Sequence, residues 1–397
     1  MQKYITSILL VAGTCIGGGT IALPMVLAKL GIIPSIIIML LTWLVTYYTS
    51  LVSVELNLQS ERGLSLGQLG RVFSGKIAAA VGEISVKLLS YALLAVFIYG
   101  GASAVQKLLE VYLHCSVSNF AVETWITVST VILLLFPLEI ISKINNIAFI
   151  VFAAIFLILI GTITGFIDYK NMPWMVEPSS YNIASVMSVV FTSFGYQVIF
   201  HTLRDYCGKN VKMQQRIFFY GSLIPAVVYI LWTSCSLSTI FASNPQFFAQ
   251  MVAGKVDVGD LVLELSAISG CTYFRILIWW MSIFAIFTSI LGVGIGLAES
   301  VNISLGKTSL SSWGRKIVAA IITVIPAYII AAVVPNAFIK ILGFAGAILV
   351  VIAVWLPVYL FLNANLKTQY TAALKKWPLI LCTIIGLAIT VIELFMH

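Results

Sequence analysis

Continuous apolar runs about as long as a lipid bilayer is thick recur along the whole chain. A bilayer core needs about 20 apolar residues per helix, and only 9% of the residues are charged, against roughly 25% in soluble domains. Because the runs are continuous, they predict helices rather than the alternating strands of an outer-membrane barrel. The sequence therefore predicts an all-α polytopic membrane protein with eleven transmembrane helices, at 4–29, 33–57, 82–107, 123–142, 146–167, 181–202, 214–241, 272–303, 315–334, 337–363 and 376–396.

The basic residues predict the orientation of these helices. The net charge is +8, and with the N-terminus in the cytoplasm fifteen of the 22 Lys and Arg residues lie in inner loops and six in outer loops. Such a bias is typical of cytoplasmic loops, so the positive charge does not indicate a nucleic-acid partner. An odd number of spans places the C-terminus outside, which is the periplasmic side of a bacterial inner membrane. The lipid bilayer is the predicted environment, and no obligate protein partner is implied.

Two short helices are predicted between the spans. The segment SERGLSLGQLGRVFSG at 60–75 resembles an interfacial helix, and DVGDLVLELSAISG at 257–270 lies in the longest connection. The second carries Asp257, Asp260 and Glu264. We interpret these acids as a solvated helix face, with a lid over the outer side as the alternative.

The first span contains an interruption that an ordinary helix would not tolerate well. The stretch GTCIGGGTIALP places three consecutive glycines and a proline inside an apolar run, although both residue types disfavour a helix interior. Span 6 repeats the feature, because TSFGYQ at 192–197 again places glycine and polar residues in mid-membrane. Glycines in membrane helices also serve close packing alone, but two matching interruptions favour unwound backbone beside a cavity.

The distance between the two interruptions predicts an internal repeat. Spans 1 and 6 are five helices apart, so they run in opposite directions. Two five-helix units of opposite topology, each with a discontinuous first helix, indicate an inverted-repeat transporter. The predicted units are 1–167 for helices 1–5 and 181–363 for helices 6–10, with 376–397 as an additional helix 11.

The interruption in span 1 has the polarity to bind a small zwitterion. A helix N-terminus carries roughly half a positive charge and free N–H groups, and glycine lets a ligand approach that backbone. The preceding half-helix ends in free carbonyls, which suit an ammonium group or a metal cation. A ligand with both charges is an amino acid.

These motifs resemble those of a known family. AGTCIGGGTIALP and FTSFGYQ look like the hydroxy/aromatic amino acid permeases of the amino acid–polyamine–organocation superfamily, closest to the bacterial tyrosine-specific permeases. The resemblance implies the 5+5 inverted-repeat fold of the leucine-transporter type, with helices 1 and 6 discontinuous, and alternating access. Many relatives have His where this chain has Gln197, so a proton role of that position is in doubt.

The expected substrate site lies between spans 1, 3, 6 and 8. The N–H groups of Gly17, Gly18 and Gly19 are expected to bind the carboxylate, and carbonyls near Cys15 and in Phe191, Thr192 and Ser193 the amine. Aromatic contacts are expected from Phe194 and Tyr196, with Tyr91 and Tyr99 of span 3 as further candidates. Gln197 is a candidate partner of a phenolic hydroxyl, which is a selective kind of contact.

Two coupling ions are compatible with the sequence. The centres of the spans hold no obvious proton carrier, whereas AIFTS in span 8 resembles the sodium site of the leucine-transporter fold. The matching positions are Gly13, Ile16, Ala285, Thr288 and Ser289, although Ser and Thr in membrane helices commonly bond to their own i−4 carbonyl instead. The studied relatives are regarded as proton-driven, so the coupling cation is expected to be Na⁺ or H⁺.

The preferred function is a secondary importer of an aromatic amino acid, with tyrosine first and tryptophan next. One alternative is import of another neutral amino acid, such as serine or a branched-chain residue. The other is an intramembrane enzyme, but no HExxH, paired Asp or Gly-x-Ser-x-Gly pattern is present. No catalytic residue and no cofactor other than the coupling cation is expected.

Overall fold

The computed structural model is built of helices. It describes residues 2–59, 63–166, 172–176, 180–200, 203–204, 208, 210–268, 272–307, 311–334, 337–364 and 376–396.

The described helices of the first half follow the predicted order. They are α1 (Gln2–Cys15), α2 (Gly19–Leu27), α3 (Ile32–Leu58), α4 (Leu66–Phe73), α5 (Lys76–Leu113), α6 (Asn119–Leu134) and α7 (Leu138–Ile163). A single 3₁₀ turn, Thr164–Phe166, follows α7.

The second half begins with a helix of 14 residues and ends with one of 21 residues. Its helices are α8 (Ser180–Ser193), α9 (Val211–Ser243), α10 (Pro245–Val252), α11 (Val258–Ala267), α12 (Thr272–Ser304), α13 (Ser312–Val333), α14 (Ala337–Val350), α15 (Leu356–Asn363) and α16 (Lys376–Met396). A π-helical turn, Val351–Trp355, joins α14 to α15 without leaving the helix.

The all-helical membrane fold is confirmed, and the number of spans stays a prediction. Each of the eleven predicted segments overlaps a described helix or helix series. Seven described segments are long and apolar enough to span a bilayer, with the continuous series from α14 to α15 counted as one. The number is eight if the bent pair α1 and α2 is also one span. The helices α6 and α16 are apolar but shorter.

The predicted short helices are confirmed as α4 and α11. A reciprocal pair of bonds starts α4, because the Ser65 hydroxyl accepts from the N–H of Gln68 and the Gln68 amide oxygen accepts from the N–H of Ser65. A similar box formed by Asp257 and Asp260 starts α11. Both arrangements satisfy N–H groups that a helix start leaves free.

Helix α5 lies at the centre of the molecule and is longer than predicted. It has 38 residues, about 57 Å at 1.5 Å per residue, and packs against α4, α6, α11, α12, α13 and α14. It begins after Gly75 at φ +102° and ends at His114 in a left-handed conformation. Its most apolar window is 72% buried, whereas that of α7 is 28% buried. The side chains Ile147, Ile150 and Leu157 of α7 are exposed, as expected of a surface that faces lipid.

Glycines allow two pairs of helices, α8 with α14 and α1 with α9, to approach closely. An added Cβ at Gly346 of α14 would lie 2.2 Å from the carbonyl oxygen of Ser188 in α8. An added Cβ at Gly221 of α9 would lie 2.6 Å from Cβ of Val11 in α1. These contacts hold α8 against α14 and α1 against α9 in the manner of small-residue interfaces in membranes.

Candidate functional site

The chain is interrupted between α1 and α2, at the predicted glycines. Helix α1 ends at Cys15, α2 begins at Gly19, and the two axes are bent by 50°. No described residue accepts a hydrogen bond from the N–H groups of Gly17, Gly18 or Gly19, and no side chain caps α2. The start of α2 therefore presents free donors at the positive end of a helix dipole.

Three other helices pack against these glycines. An added Cβ at Gly18 would lie 2.3 Å from the ring of Phe97 in α5, and one at Gly17 would lie 2.7 Å from the hydroxyl of Ser289 in α12. An added Cβ at Gly19 would lie 2.8 Å from the hydroxyl of Tyr229 in α9. The absence of a side chain is therefore required at all three positions for this packing.

Helix α8 ends at the predicted interruption of span 6, and residues 201–202, 205–207 and 209 lie outside the described residues. The helix ends at Ser193, Gly195 donates its N–H to the carbonyl of Thr192, and Tyr196 donates its N–H to that of Phe194. A 3₁₀ turn then covers Gln197–Ile199. The end of α8 lies beside the start of α2, because an added Cβ at Gly19 would lie 3.0 Å from the Ser193 hydroxyl.

One buried hydroxyl joins the two interruptions. The Tyr229 hydroxyl donates to the carbonyl oxygen of Cys15 at 2.6 Å and lies 3.2 Å from that of Ser193. These are carbonyls of the two regions expected to bind an amine. The same helix α9 also holds the start of α2, since the Trp232 indole N–H donates to the carbonyl of Thr20 at 2.6 Å. Neither Tyr229 nor Trp232 was singled out from the sequence.

The aromatic residues of the second interruption divide into two groups. Phe191 and Phe194 are buried in the main core, and the Phe194 ring stands edge-on to Tyr229, with centroids 5.6 Å apart. Tyr196 instead stacks on Phe218 and belongs to a separate cluster with Phe200. Of the predicted aromatic contacts in span 6, Phe194 therefore lies nearest to the bridge between the interruptions.

The polar residues of the second interruption also point in different directions. Thr192 donates to the carbonyls of Ser188 and Leu342 and so faces α14. Gln197 lines a cavity of about 90 Å³ together with Ser53 and Asn57 of α3. It is 6% exposed, and neither atom of its amide has a hydrogen-bond partner among the described residues.

The tyrosines predicted from span 3 have partners away from the glycines. The Tyr91 hydroxyl donates to the carbonyl of Ile322 in α13, and that of Tyr99 donates to the Asp257 carboxylate at 3.0 Å. The aromatic side chain of α5 that contacts the interruption is Phe97, which the sequence analysis did not select. Phe97 was not selected because hydropathy does not reveal which side of α5 an aromatic residue faces.

Of the residues expected to bind sodium, Ser289 of α12 lies beside the interruption that follows α1. The Ser289 hydroxyl approaches Gly17, but it also donates to the Ala285 carbonyl at 2.7 Å. Thr288 donates to the carbonyl of Phe284 at 2.8 Å. On α1, the N–H of Ile16 donates to Ala12, and the Cα of Gly13 faces the Phe149 ring. Both hydroxyls thus make the local i−4 bonds that are the alternative to cation binding.

The acidic face predicted for α11 is not solvated as expected. Asp257 accepts from Tyr99, and Asp260 lies 3.2 Å from the Lys107 ammonium. Ser103, between these two residues of α5, accepts from the N–H of Gly259. The prediction was wrong for Asp257, because Tyr99, Ser103 and Lys107 recur at intervals of four residues and form one polar stripe on α5, whereas the Asp260 side chain remains 41% exposed.

Together, the lipid-facing helices and the buried contact between the ends of α1 and α8 indicate a multi-pass membrane transporter. The whole chain, residues 1–397, matches the tryptophan/tyrosine permease family, so the protein is a permease rather than an enzyme. The protein belongs to that family, as its motifs predicted.

Relatives along the full chain bear transporter names. It is 30% identical to Tyrosine-specific transport system 1 of Haemophilus influenzae, covering 98% of this chain and 96% of that protein. It is 24% identical to Glutamine transporter 2 of Aliivibrio fischeri, over 99% of both, and 26% identical to the Tryptophan-specific transport protein of Pseudomonas aeruginosa, over 93% and 88%.

A solved structure shares the fold. A crystal structure of the Eremococcus coleocola manganese transporter superposes with a TM-score of 0.58 and 14% identity, covering 98% of this chain and 85% of that one. At this identity the likeness supports the transporter fold alone.

Proposed function

We propose that the protein imports an aromatic amino acid, tyrosine first and tryptophan next, by cation-coupled symport and alternating access. The observation that carries the proposal is the meeting of free N–H groups at the start of α2 with carbonyls at the ends of α1 and α8. Opposite partial charges a few ångströms apart match the carboxylate and ammonium of an amino acid. The names of the relatives in tyrosine and tryptophan transport support the aromatic class.

The proposed site assigns one chemical role to each group. Gly17, Gly18 and Gly19 bind the carboxylate, and the carbonyls of Cys15 and of 191–193 bind the ammonium. Buried rings surround the position of the substrate side chain, with Phe97 and Phe194 nearest the interruptions. Gln197 is the proposed partner of a phenolic hydroxyl, because neither the NH₂ donors nor the oxygen of its buried amide has a partner among the described residues.

The proposed transport cycle uses the inverted repeat. Units 1–167 and 181–363 move against each other around the interruptions, and α16 lies outside the repeat. The protein lies in a bacterial inner membrane with its N-terminus in the cytoplasm and its C-terminus in the periplasm, as the positive-inside bias supports. The coupling ion is Na⁺, bound by Gly13, Ile16, Ala285, Thr288 and Ser289, or H⁺.

One observation favours a second substrate class. A relative that matches 99% of the chain is named for glutamine transport, so import of another neutral amino acid is the second candidate. The buried aromatic side chains at both interruptions favour the aromatic class over it.

The deciding experiment is uptake into proteoliposomes of purified full-length protein. Labelled tyrosine, tryptophan, phenylalanine and glutamine are offered separately under a sodium gradient and under a proton gradient. We expect tyrosine to accumulate most and one gradient to drive it. Accumulation of glutamine alone would replace the aromatic proposal with the second candidate, and accumulation without either gradient would contradict cation coupling.

A further inference from the structure

Tyr229 makes an unusual set of contacts for a residue in mid-helix. Its side chain is fully buried, its hydroxyl donates to the Cys15 carbonyl, and the Ser193 carbonyl lies within 3.2 Å. The edge-on Phe194 ring fixes the orientation of its own ring. One hydroxyl thus connects the end of α1, the end of α8 and the middle of α9.

We propose that the Tyr229 hydroxyl and the ammonium group of the substrate compete for the same carbonyl oxygens, those of Cys15 and Ser193. The inference rests on the proposed function, since it requires a ligand with an ammonium group. Tyr229 is then a positioning residue that sets the balance between substrate affinity and release.

The chemistry of the carbonyls supports this exchange. A helix end leaves carbonyls without intrahelical partners, and a buried carbonyl needs a donor. The described donor to the Cys15 carbonyl is the Tyr229 hydroxyl. An ammonium group brings three donors and a positive charge, and charge-assisted hydrogen bonds are stronger than neutral ones. The ammonium therefore displaces the hydroxyl, and the hydroxyl returns when the substrate leaves.

The position of α9 links the exchange to the moving parts. Tyr229 holds the end of α1, and Trp232, three residues later, holds the start of α2 through Thr20. Displacement of the Tyr229 hydroxyl removes this bond between the end of α1 and α9, whereas the packing of α1 on α9 at Gly221 and the bond from Trp232 to Thr20 remain. In this proposal, substrate binding breaks the hydrogen bond between α9 and the end of α1, and it keeps the hydrogen bond between α9 and α2.

The test compares Tyr229→Phe with Tyr328→Phe in full-length protein. Tyr328 is half-buried, and its hydroxyl makes one hydrogen bond, to Thr124 between α6 and α13, so the control also loses one hydroxyl contact. Removing an interaction that exists only without substrate favours the bound state. We expect Tyr229→Phe to bind an aromatic amino acid about threefold to tenfold more tightly, as one hydrogen bond allows, and to transport it at a lower maximal rate.

An analogue without the ammonium group makes the test specific. With 3-(4-hydroxyphenyl)propionate the hydroxyl has no competitor, so Tyr229→Phe and wild type should bind it equally. Replacing Tyr229 by 3,5-difluorotyrosine, a stronger donor, should weaken amino acid binding. Unchanged or weaker amino acid binding by Tyr229→Phe, or an equal gain for the analogue, would overturn the proposal.

A substrate-independent measurement separates this inference from the proposed function. With the other cysteines replaced by Ser, the buried Cys15 thiol should react faster with a maleimide in Tyr229→Phe than in wild type or Tyr328→Phe, because the end of α1 is released. If wild type transports no aromatic amino acid, the proposed function fails, and labelling still tests whether the Tyr229 hydroxyl holds the end of α1. Equal labelling rates would then overturn it.

Discussion

At the scale of single residues, the three glycines between α1 and α2 combine two requirements. Their N–H groups are free, and their missing side chains admit Phe97, Ser289 and Tyr229 to the same small volume. A substitution there therefore affects both packing and any ligand bound to the N–H groups, and the two effects need separate variants.

Gly18→Ala is expected to lower uptake at least tenfold while the protein remains inserted. The new methyl would collide with the Phe97 ring and cover the free N–H groups. In Gly18→Ala/Phe97→Ala the collision is relieved, so thermal stability should match that of Phe97→Ala alone, which already lacks a buried ring, whereas uptake should stay below that of Phe97→Ala. Gly161→Ala, which meets no atom within 4 Å, is the neutral control. If the double variant transports as well as Phe97→Ala alone, the glycines serve packing only.

Gln197→Leu is expected to reduce the preference for a phenol. A buried amide without partners costs stability, so the apolar replacement should raise the thermal midpoint. The KM for tyrosine should rise about tenfold, as for one lost hydrogen bond to a substrate hydroxyl, while that for phenylalanine stays unchanged. Uptake kinetics of both substrates measure this. An equal change for both would show that Gln197 does not contact the phenol.

At the scale of helices, the docking of α11 on α5 is the clearest pH-sensitive contact. Burial raises the pKa of the Asp257 carboxyl, and the charge of Asp260 adds to the increase, whereas hydrogen bonds from Val258, Tyr99 and Ser103 oppose it. Glu123 of α6 is a further acid within electrostatic range of Asp257. Lys107 pairs with Asp260 on the same stripe.

The sign of the pH effect follows from the raised pKa. A carboxyl with a higher pKa in the docked state binds a proton more tightly there, so docking strengthens as pH falls through that pKa and weakens as pH rises. Hydrogen exchange of α11 amides, corrected for intrinsic rates, should show more protection at about pH 4, near the ordinary pKa of an Asp carboxyl, than at pH 8. Asp257→Asn should remove this difference and Glu264→Gln should keep it. Greater protection at pH 8 in the wild type would contradict the assignment.

Helix α12 carries the prediction about the coupling ion. If a sodium gradient drives uptake by the wild type, Thr288→Ala/Ser289→Ala should abolish the stimulation, because two neutral oxygen ligands are lost. The same hydroxyls bond to carbonyls of their own helix, so Na⁺ would have to compete with these bonds. Ser282→Ala, one of the other back-bonded hydroxyls of α12, is the matched control. Persistent sodium stimulation in the double variant would remove these residues from the site.

At the scale of the whole molecule, the sequence predicts what depends on hydropathy and backbone chemistry. Apolar runs located the helices, and the glycines located the interruption between α1 and α2. The segments at 60–75 and 257–270 located the short helices α4 and α11, which the structure shows to begin with capping pairs at Ser65 and Asp257. Each of these features is local, so neighbouring residues determine it.

Features that depend on packing between distant segments were not predictable. The sequence analysis selected Tyr91 and Tyr99 in α5, but the side chain that contacts Gly18 is Phe97. Tyr229 was missed because a tyrosine inside an apolar run has no local signal, and only the approach of α1 and α8 gives its hydroxyl two carbonyls. The acids of α11 looked solvated because the polar stripe of α5 that binds them lies more than 150 residues away.

The central claim is that the two helix interruptions together bind a zwitterion. Competition binding tests it most directly, with labelled tyrosine displaced from purified protein by tyramine, which lacks the carboxylate, or by 3-(4-hydroxyphenyl)propionate, which lacks the ammonium group. Each analogue forfeits charge-assisted hydrogen bonds worth about 1.5–3 kcal/mol apiece. We predict that both bind at least about a hundredfold more weakly than tyrosine. Displacement by either analogue at the concentration at which tyrosine itself competes would contradict the account.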